Sequence, residues 1–212
     1  MCVQLAGTED LDAVAIRFAA RPTMPVDGVH EKSKNAARIR PTDRAPTIIT
    51  AAGERRLGWM RWGWQEQLAA TTKPQLLLHA RFETAISKPL WAEAFAHRRC
   101  VIVAQGWWEV VPQPGRQRGL PYFYQSAAAP LLALAALWRR EVNDVRFTML
   151  TTEPTSELAP IHDRMPVVLS DEHIVPWLNG AIAAQALCDF GRSPGVPITA
   201  WQTTALGEQT RV

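Results

Sequence analysis

The sequence has 212 residues, 47% of them hydrophobic and 20% charged, which is enough apolar material for one domain with a real core. The 23 basic and 20 acidic side chains leave a formal net charge of +3, so nucleic-acid binding is permitted but not required. The longest apolar run, Ala127 to Trp138, contains Pro130 and is too short to cross a bilayer, and no signal sequence opens the chain. We therefore expect a single cytoplasmic domain over residues 1–212, monomeric and without membrane contact.

The cysteine, arginine and tryptophan content indicates which ligands and binding partners the chain favours. Cys2, Cys100 and Cys188 have no paired or metal-like spacing, which fits a reducing compartment and predicts no metal site. Arginine outnumbers lysine nineteen to four; it suits phosphate contacts and stacking on bases, although a GC-rich genome gives the same excess. Six of the nine tryptophans lie between Trp59 and Trp108, where they are core side chains or platforms for bases.

The first predicted elements are a short opening strand and an amphipathic helix. Leu11, Val14 and Phe18 recur at helical spacing, Thr8 is suited to the N-cap, and Pro22 ends the segment. Residues 21–45 then show no period and carry several prolines among basic side chains. We predict a long loop there, and long loops in compact domains are often functional.

The remainder of the chain predicts mainly strands. The predicted strands cover a hairpin at 46–50 and 55–60, then 76–80, 100–104, 121–124, 131–138, 145–151, 167–169 and 198–203. Short helices are predicted over 90–96 with Ser87 as cap, after Ser170, and over 181–190. Apolar runs separated by loops favour a sheet that folds back on itself toward a barrel, rather than a βαβ array. The expected class is α+β, with mixed β-sheets and short flanking helices.

Cys2 carries the most unusual chemistry available to the sequence. Because its side chain is small, Met1 can be trimmed, which leaves one residue with both a free α-amine and a thiol. An α-amine has a pKa of about 7.7–8.0, so part of it is a neutral nucleophile near pH 7. The amine can form an imine with an aldehyde, and the thiol can close onto the imine carbon to give a thiazolidine. The alternative is a cysteine that packs as a small apolar residue.

Three further polar side chains stand at the ends of apolar segments. Glu109 follows an apolar strand and two tryptophans, so we expect partial burial and a raised pKa suited to general acid–base work; an ordinary strand-end salt bridge is the alternative. His162 precedes Asp163, which predicts an imidazole oriented by a carboxylate, or a hydrogen-bonded core histidine. For His79, a satisfied histidine within a strand is the simpler explanation.

Four motifs occur in one order along the chain: Cys2 after the initiator methionine, His-Ala-Arg-Phe-Glu-Thr at 79–84, Gly-Trp-Trp-Glu at 106–109, and Ile-His-Asp-Arg-Met-Pro at 161–166. Together they resemble the SRAP family, the abasic-site processing proteins also called SOS response-associated peptidases. The resemblance covers essentially the whole chain. It implies a sheet-rich SRAP fold with a basic groove for single-stranded DNA, and no metal or organic cofactor.

The resemblance also implies a function. Cys2 would attack the ring-opened aldehyde of an abasic site and form a stable thiazolidine DNA–protein crosslink, which shields the lesion during the DNA damage response at the nucleoid. Glu109 and His162 would transfer protons, His79 would help to place the sugar, and Arg81 would hold a phosphate beside the lesion. The further residues predicted to bind DNA are Arg38, Arg40, Arg164 and Trp64.

The sequence departs from the family pattern at several positions. His79 stands where the family usually has asparagine, and Val3-Gln4 follow Cys2 where Gly-Arg is usual. Arg38 replaces the asparagine of the Asn-x-x-Pro segment, and the tryptophan-rich loop that often follows a Trp-Gly pair such as Trp62-Gly63 has no clear counterpart. Two other functions therefore stay open: a non-catalytic single-stranded DNA-binding module, and an amino-terminal-nucleophile thiol peptidase with autoproteolytic activity.

Overall fold

The structure is a computed structural model that describes residues 4–23, 37–67, 73–115, 117–142, 144–180, 195–209 and 211. The strands in these residues are β1 (Gln4–Ala6), β2 (Arg21–Pro22), β3 (Arg38–Ile39), β4 (Arg44–Ala51), β5 (Glu54–Trp62), β6 (Trp64–Glu66), β7 (Gln75–Leu77), β8 (His79–Arg81), β9 (Arg99–Ala104), β10 (Gly106–Val111), β11 (Leu120–Gln125), β12 (Leu132–Glu141), β13 (Asp144–Thr152), β14 (Met165–Pro166), β15 (Val168–Leu169) and β16 (Thr199–Gln202). The helices are α1 (Leu11–Phe18), α2 (Phe82–Ala85), α3 (Pro89–His97) and α4 (Asp171–Asn179).

The larger sheet closes into a ring. Its strands β5, β4, β9, β12 and β13 pair antiparallel in that order, and β13 then pairs parallel with β5 through Phe147 and Trp62. Closure removes free strand edges along the ring. The predicted α+β class, with mixed sheets folded toward a barrel, is confirmed.

The first described residues of the chain belong to a second sheet, which has five strands. Its order is β16-β11-β10-β1-β3, so β1 lies between β10 and β3. In the antiparallel register Gln4 stands opposite Trp108 and Ala6 opposite Gly106. The amino-terminal strand is therefore held directly beside the strand that carries Glu109.

Two hydrophobic layers follow from the strict alternation of strand side chains. In β9, Val101 and Val103 point to the layer that packs against α1, α2, α3 and α4. Cys100 and Ile102 point to the opposite layer, which also contains Trp107 from the five-stranded sheet. β9 is therefore buried on both faces, which explains its continuous apolar sequence.

The helix starts differ from two of the sequence predictions. Asp10, not Thr8, is the N-cap of α1, because its carboxylate accepts the Ala13 N–H at 2.8 Å. Lys88 occupies the N-cap of α3, while the Ser87 hydroxyl donates to the Thr84 carbonyl. The predicted cap of α4 at Ser170 is confirmed in position.

Other predicted elements agree with the structure only in part or lie outside the described residues. The region predicted as one loop over 21–45 contains β2 and β3 and ends in β4, while α2 was not predicted at all. The helix predicted over 181–190 lies outside the described residues. Among the helices described, none is long and apolar enough to span a membrane.

Gly106 opens β10 because no larger residue fits there. An added Cβ would lie 2.2 Å from the Tyr124 carbonyl oxygen and 2.7 Å from Phe123 Cζ. We expect Gly106→Ala to lower the free energy of unfolding by about 2–3 kcal/mol, since overpacking forces strand β11 away. Urea denaturation of the wild type and the variant measures this difference.

The control is Gly53→Ala in the β4–β5 turn, where φ is +77° and no atom lies within 4 Å of the added Cβ. Only the left-handed backbone is penalised there, at about 1 kcal/mol. Equal losses for the two variants would contradict the crowding assigned to Gly106.

Candidate active site

Glu109 lies in the middle of β10, and not at a strand end as the sequence predicted. It stands opposite Tyr122 of β11, in a strand flanked on its other side by β1. Its position two residues after Trp107 places its side chain on the face that contacts the ring of strands. Only 1% of the Glu109 side chain is exposed, so this carboxyl has been removed from water.

Burial sets the protonation of Glu109. Removing the carboxylate from water penalises its charged form and raises the pKa of Glu109 from 4.5 to about 7. The group is therefore divided between acid and base near neutral pH, which is the most useful condition for a proton-transfer group. The predicted raised pKa agrees with this structure.

His162 reaches Glu109 from a loop between β13 and β14. Turns anchor this loop, because the His162 N–H donates to the carbonyl of Leu158, a residue that is itself buried. The Nε2 atom of His162 lies 4.0 Å from Oε2 of Glu109. This distance exceeds a hydrogen bond, but catalytic contacts often tighten only when substrate binds.

The neighbours of Nδ1 fix the tautomer of the His162 ring. The Arg164 backbone N–H donates to Nδ1 at 3.0 Å, and Oδ1 of Asp163 also lies 3.0 Å from it. A neutral ring can satisfy only one of these neighbours. The backbone N–H can only donate and is held in place, whereas the Asp163 side chain is 85% exposed and can turn into water. Nδ1 is therefore the acceptor, and the proton resides on Nε2, facing Glu109.

The charge state of His162 supports the same arrangement. Burial lowers its pKa below the ordinary 6.5, and the Asp163 carboxylate only partly opposes this shift. A neutral imidazole that donates from Nε2 therefore faces a carboxyl that is half ionised near pH 7. Such a pair can supply a proton to one atom of a substrate and accept a proton from another.

In the motif at 79–84, the side chain of His79 is partly buried and that of Arg81 is exposed. Strand β8 pairs parallel with β13, and this pairing places His79 beside Met149 and Arg81 beside Thr151. The His79 ring meets Trp62 edge-on, with centroids 5.7 Å apart. Arg81 is exposed where β8 passes into α2, and within the described part of the chain it forms no ion pair.

The other residues predicted to bind DNA differ in their exposure. Arg40 is exposed, but the Arg38 guanidinium donates to the Leu206 carbonyl at 2.6 Å and is covered by Gly207. Trp64 is 1% exposed and packs on Trp91 with centroids 4.9 Å apart. Its faces are covered in this structure, and the DNA contact expected of Trp64 stays a prediction.

Arg164 is held inside the protein by the Glu83 carboxylate, for which the sequence predicted no role. Its guanidinium forms two parallel hydrogen bonds with Glu83, each of 2.9 Å. The partners are 81 residues apart. The one available signal was the position of Glu83 two residues after Arg81, and spacing alone could not identify its partner.

Cys2 lies outside the described residues. Strand β1 begins at Gln4, which is 3% exposed and pairs with the residue before Glu109. The geometry therefore brings together Glu109 and His162 beside the strand that follows Cys2.

A buried carboxyl–imidazole pair beside strand β1, on a sheet-rich α+β fold, has the groups that acid–base chemistry requires. The family model described as SOS response associated peptidase (SRAP) matches residues 1–197, and the chain belongs to this family.

Named relatives agree with this assignment, and a solved structure has the same fold. The chain is 30% identical over 185 residues to the abasic site processing protein YoqW of Bacillus subtilis, covering 84% of this chain and 80% of that protein. It is 26% identical to the abasic site processing protein HMCES of Xenopus tropicalis, covering 79% of this chain and 58% of that protein. A crystal structure of a protein from Bacteroides thetaiotaomicron has the same fold, with a TM-score of 0.76, 21% identity, and coverage of 95% of this chain and 91% of that one.

The raised pKa of Glu109 makes stability depend on pH. The folded chain holds the Glu109 proton up to about pH 7, whereas the unfolded chain releases it near 4.5. The stabilisation is therefore fully present below pH 4.5 and is lost as the pH rises through 7. Glu109→Gln cannot ionise. We expect its free energy of unfolding, relative to that of the wild type, to rise by roughly 3 kcal/mol between pH 4.5 and 8. Urea unfolding of both proteins across this range measures the difference.

The matched control is Glu54→Gln, which removes an exposed carboxylate that pairs with Arg21 at 3.2 Å. Its difference from the wild type should not grow with pH in this window. A Glu109→Gln difference that stays constant from pH 4.5 to 8 would contradict the burial of an ionisable Glu109 carboxyl.

Proposed function

We propose that this protein processes abasic sites in single-stranded DNA by forming a covalent thiazolidine between Cys2 and the opened sugar. The observation that carries the proposal is the buried Glu109 carboxyl, with a pKa of about 7, standing 4.0 Å from His162 Nε2. Forming the crosslink needs proton transfers at neutral pH, and this pair is suited to them.

Chain connectivity supports the use of Cys2 at this site. Two peptide units join Cys2 to Gln4, so their Cα atoms lie within about 8 Å of each other. Gln4 stands opposite Trp108, one residue from Glu109, and adjacent strands lie about 4.8 Å apart. The connection to Gln4 therefore limits how far Cys2 can lie from the strand of Glu109, which supports its use in this reaction.

The reaction proceeds through an imine. The Cys2 amine adds to the aldehyde carbon, and the resulting carbinolamine loses its hydroxyl as water after protonation by Glu109, which leaves a protonated imine. The thiol sulfur then forms a C–S bond to the imine carbon, and the thiol proton returns to Glu109. One water is released overall, and no oxidant or reductant is needed. The Nε2–H of His162 stabilises developing negative charge on the sugar oxygen.

Exposed arginines support DNA as the substrate. The side chains of Arg81 and Arg40 are exposed to solvent. Arg81 ends the strand that begins with His79, and α2 follows directly. We assign Arg81 to a phosphate beside the lesion and His79 to the sugar. The relatives YoqW and HMCES are named as abasic site processing proteins, which agrees with this substrate.

We expect protein that has lost Met1 to give a shifted band on a denaturing gel when mixed with an oligonucleotide carrying one abasic site. The wild-type band should form without borohydride, because the thiazolidine is stable. Cys2→Ala keeps an α-amine, so it should give a band only when borohydride reduces the imine. Mass spectrometry checks Met1 removal and the loss of one water.

Absence of any band from trimmed wild type, while the labelled strand still binds in a native gel, would replace this proposal with the binding-module function. Release of peptide from an added protein substrate, lost in Cys2→Ala, would favour the thiol peptidase.

We expect Glu109→Gln to slow crosslinking by about 10²–10⁴-fold, the range typical of a lost general acid–base group. Gln keeps the size of the side chain but has no proton to exchange, so binding to undamaged single-stranded DNA should be unchanged. Single-turnover gel kinetics and fluorescence anisotropy measure the two quantities. A rate equal to that of the wild type would remove Glu109 from the mechanism.

A further inference from the structure

The Glu83–Arg164 pair connects three separate parts of the chain. Glu83 lies in α2, Arg164 directly precedes β14, and the Arg164 Nη2 also donates to the carbonyl of Thr151 at the end of β13. The Thr152 hydroxyl lies 3.4 Å from the same Glu83 carboxylate. The planar guanidinium is thus held by two carboxylate oxygens and one carbonyl, which fixes its orientation.

The pair is partly shielded and charged. The Arg164 side chain is 11% exposed and that of Glu83 is 41% exposed. Burial is the largest single influence and would raise the pKa of Glu83, but the hydrogen bonds from Arg164, the backbone and Thr152, together with the charge of Arg164, leave the pKa below its ordinary value. Glu83 is therefore ionised at neutral pH, as a bidentate bridge requires.

Arg164 also sets the tautomer of His162 through its backbone. Its N–H donates to His162 Nδ1 at 3.0 Å, two residues back along the chain. The side chain and the backbone of one residue thus link Glu83 to the imidazole. A shift of the Arg164 backbone, which the anchored side chain opposes, would move the N–H that makes Nδ1 an acceptor.

We propose that Glu83 is a positioning residue for the acid–base pair. By clamping the Arg164 guanidinium, it holds the Arg164 N–H on His162 Nδ1 and so keeps the ring proton on Nε2, facing Glu109. This inference deepens the proposed function and rests on it for its effect on rate. The effect on the tautomer does not depend on that function.

The consequence of losing Glu83 follows from the neighbours of the ring. Asp163, Glu109 and the Arg164 N–H lie beside the imidazole nitrogens. When the N–H moves away, the Asp163 carboxylate at Nδ1 favours a proton on that nitrogen. Nε2 then becomes an acceptor and no longer donates toward Glu109.

The inference gives Arg164 a role different from the DNA contact that the sequence predicted. An arginine that binds a phosphate releases a counterion. Its loss therefore reduces the slope of log binding constant against log salt concentration by about one. An arginine committed to Glu83 releases none. Replacing Arg164 should therefore leave the salt dependence of binding to undamaged single-stranded DNA unchanged.

The first test observes the tautomer directly. Protein with ¹⁵N-labelled histidine is examined by long-range ¹H–¹⁵N NMR at pH 7.5, and His162→Gln assigns the His162 signals. We expect the Nε2–H tautomer in the wild type and in the control Glu54→Gln. In Glu83→Gln we expect the Nδ1–H tautomer to become the larger population. A pure Nε2–H tautomer in folded Glu83→Gln would overturn the inference, whether or not the protein forms crosslinks.

The second test measures single-turnover crosslinking of the same proteins to an abasic-site oligonucleotide. Glu83→Gln should react about 10- to 100-fold more slowly than the wild type, the range of a misplaced catalytic group, and Glu54→Gln should react normally. A normal rate for Glu83→Gln beside a crosslinking wild type overturns the inference. No crosslink from the wild type itself defeats the proposed function, and the NMR result then decides the inference alone.

Arg164→Lys is the second variant, in case Glu83→Gln does not fold. Lysine keeps the positive charge opposite Glu83 but cannot form two parallel hydrogen bonds. We expect the same shift toward the Nδ1–H tautomer. A wild-type tautomer and a wild-type crosslinking rate in Arg164→Lys would show that the bidentate clamp is not needed.

Discussion

The removal of the Glu109 carboxyl from water constrains the whole active-site region. A buried carboxylate is unfavourable, so the group takes up a proton at a pH where an exposed glutamate has already lost it. The flanking strands β1 and β11 and the close approach at Gly106 create this burial. The same packing that gives the sheet its order therefore gives Glu109 a pKa suited to proton transfer.

The topology explains why the site forms where it does. Placing β1 between β10 and β3 brings Gln4–Ala6 against the strand of Glu109. The ring of strands supplies the opposite wall, and the loop between β13 and β14 brings His162 back to the same place. Three distant parts of the sequence meet because strand pairing, unlike a local turn, joins residues irrespective of their separation along the chain.

The sequence predicted the elements whose signals are local. The helical spacing of Leu11, Val14 and Phe18 identified α1, and the apolar run at 100–104 identified the strand buried on both faces. Closure of the ring between β5 and β13 has no local signature, since it depends on parallel pairing of Phe147 with Trp62. The predicted burial of Glu109 followed from its apolar neighbours. Its distance from His162 depended on tertiary structure, and so did the Glu83–Arg164 pair.

Several arginines bind carboxylates within the protein, for a physical reason. The planar guanidinium suits internal carboxylates as well as phosphates. Arg44 and Arg61 both bind Asp144, the Arg139 guanidinium binds Glu66 and Glu141 while covering Trp64, and Arg164 binds Glu83. These side chains are largely committed to the fold. Arg40 and Arg81 are among the arginines that the fold leaves exposed, and one short strand joins Arg81 to His79.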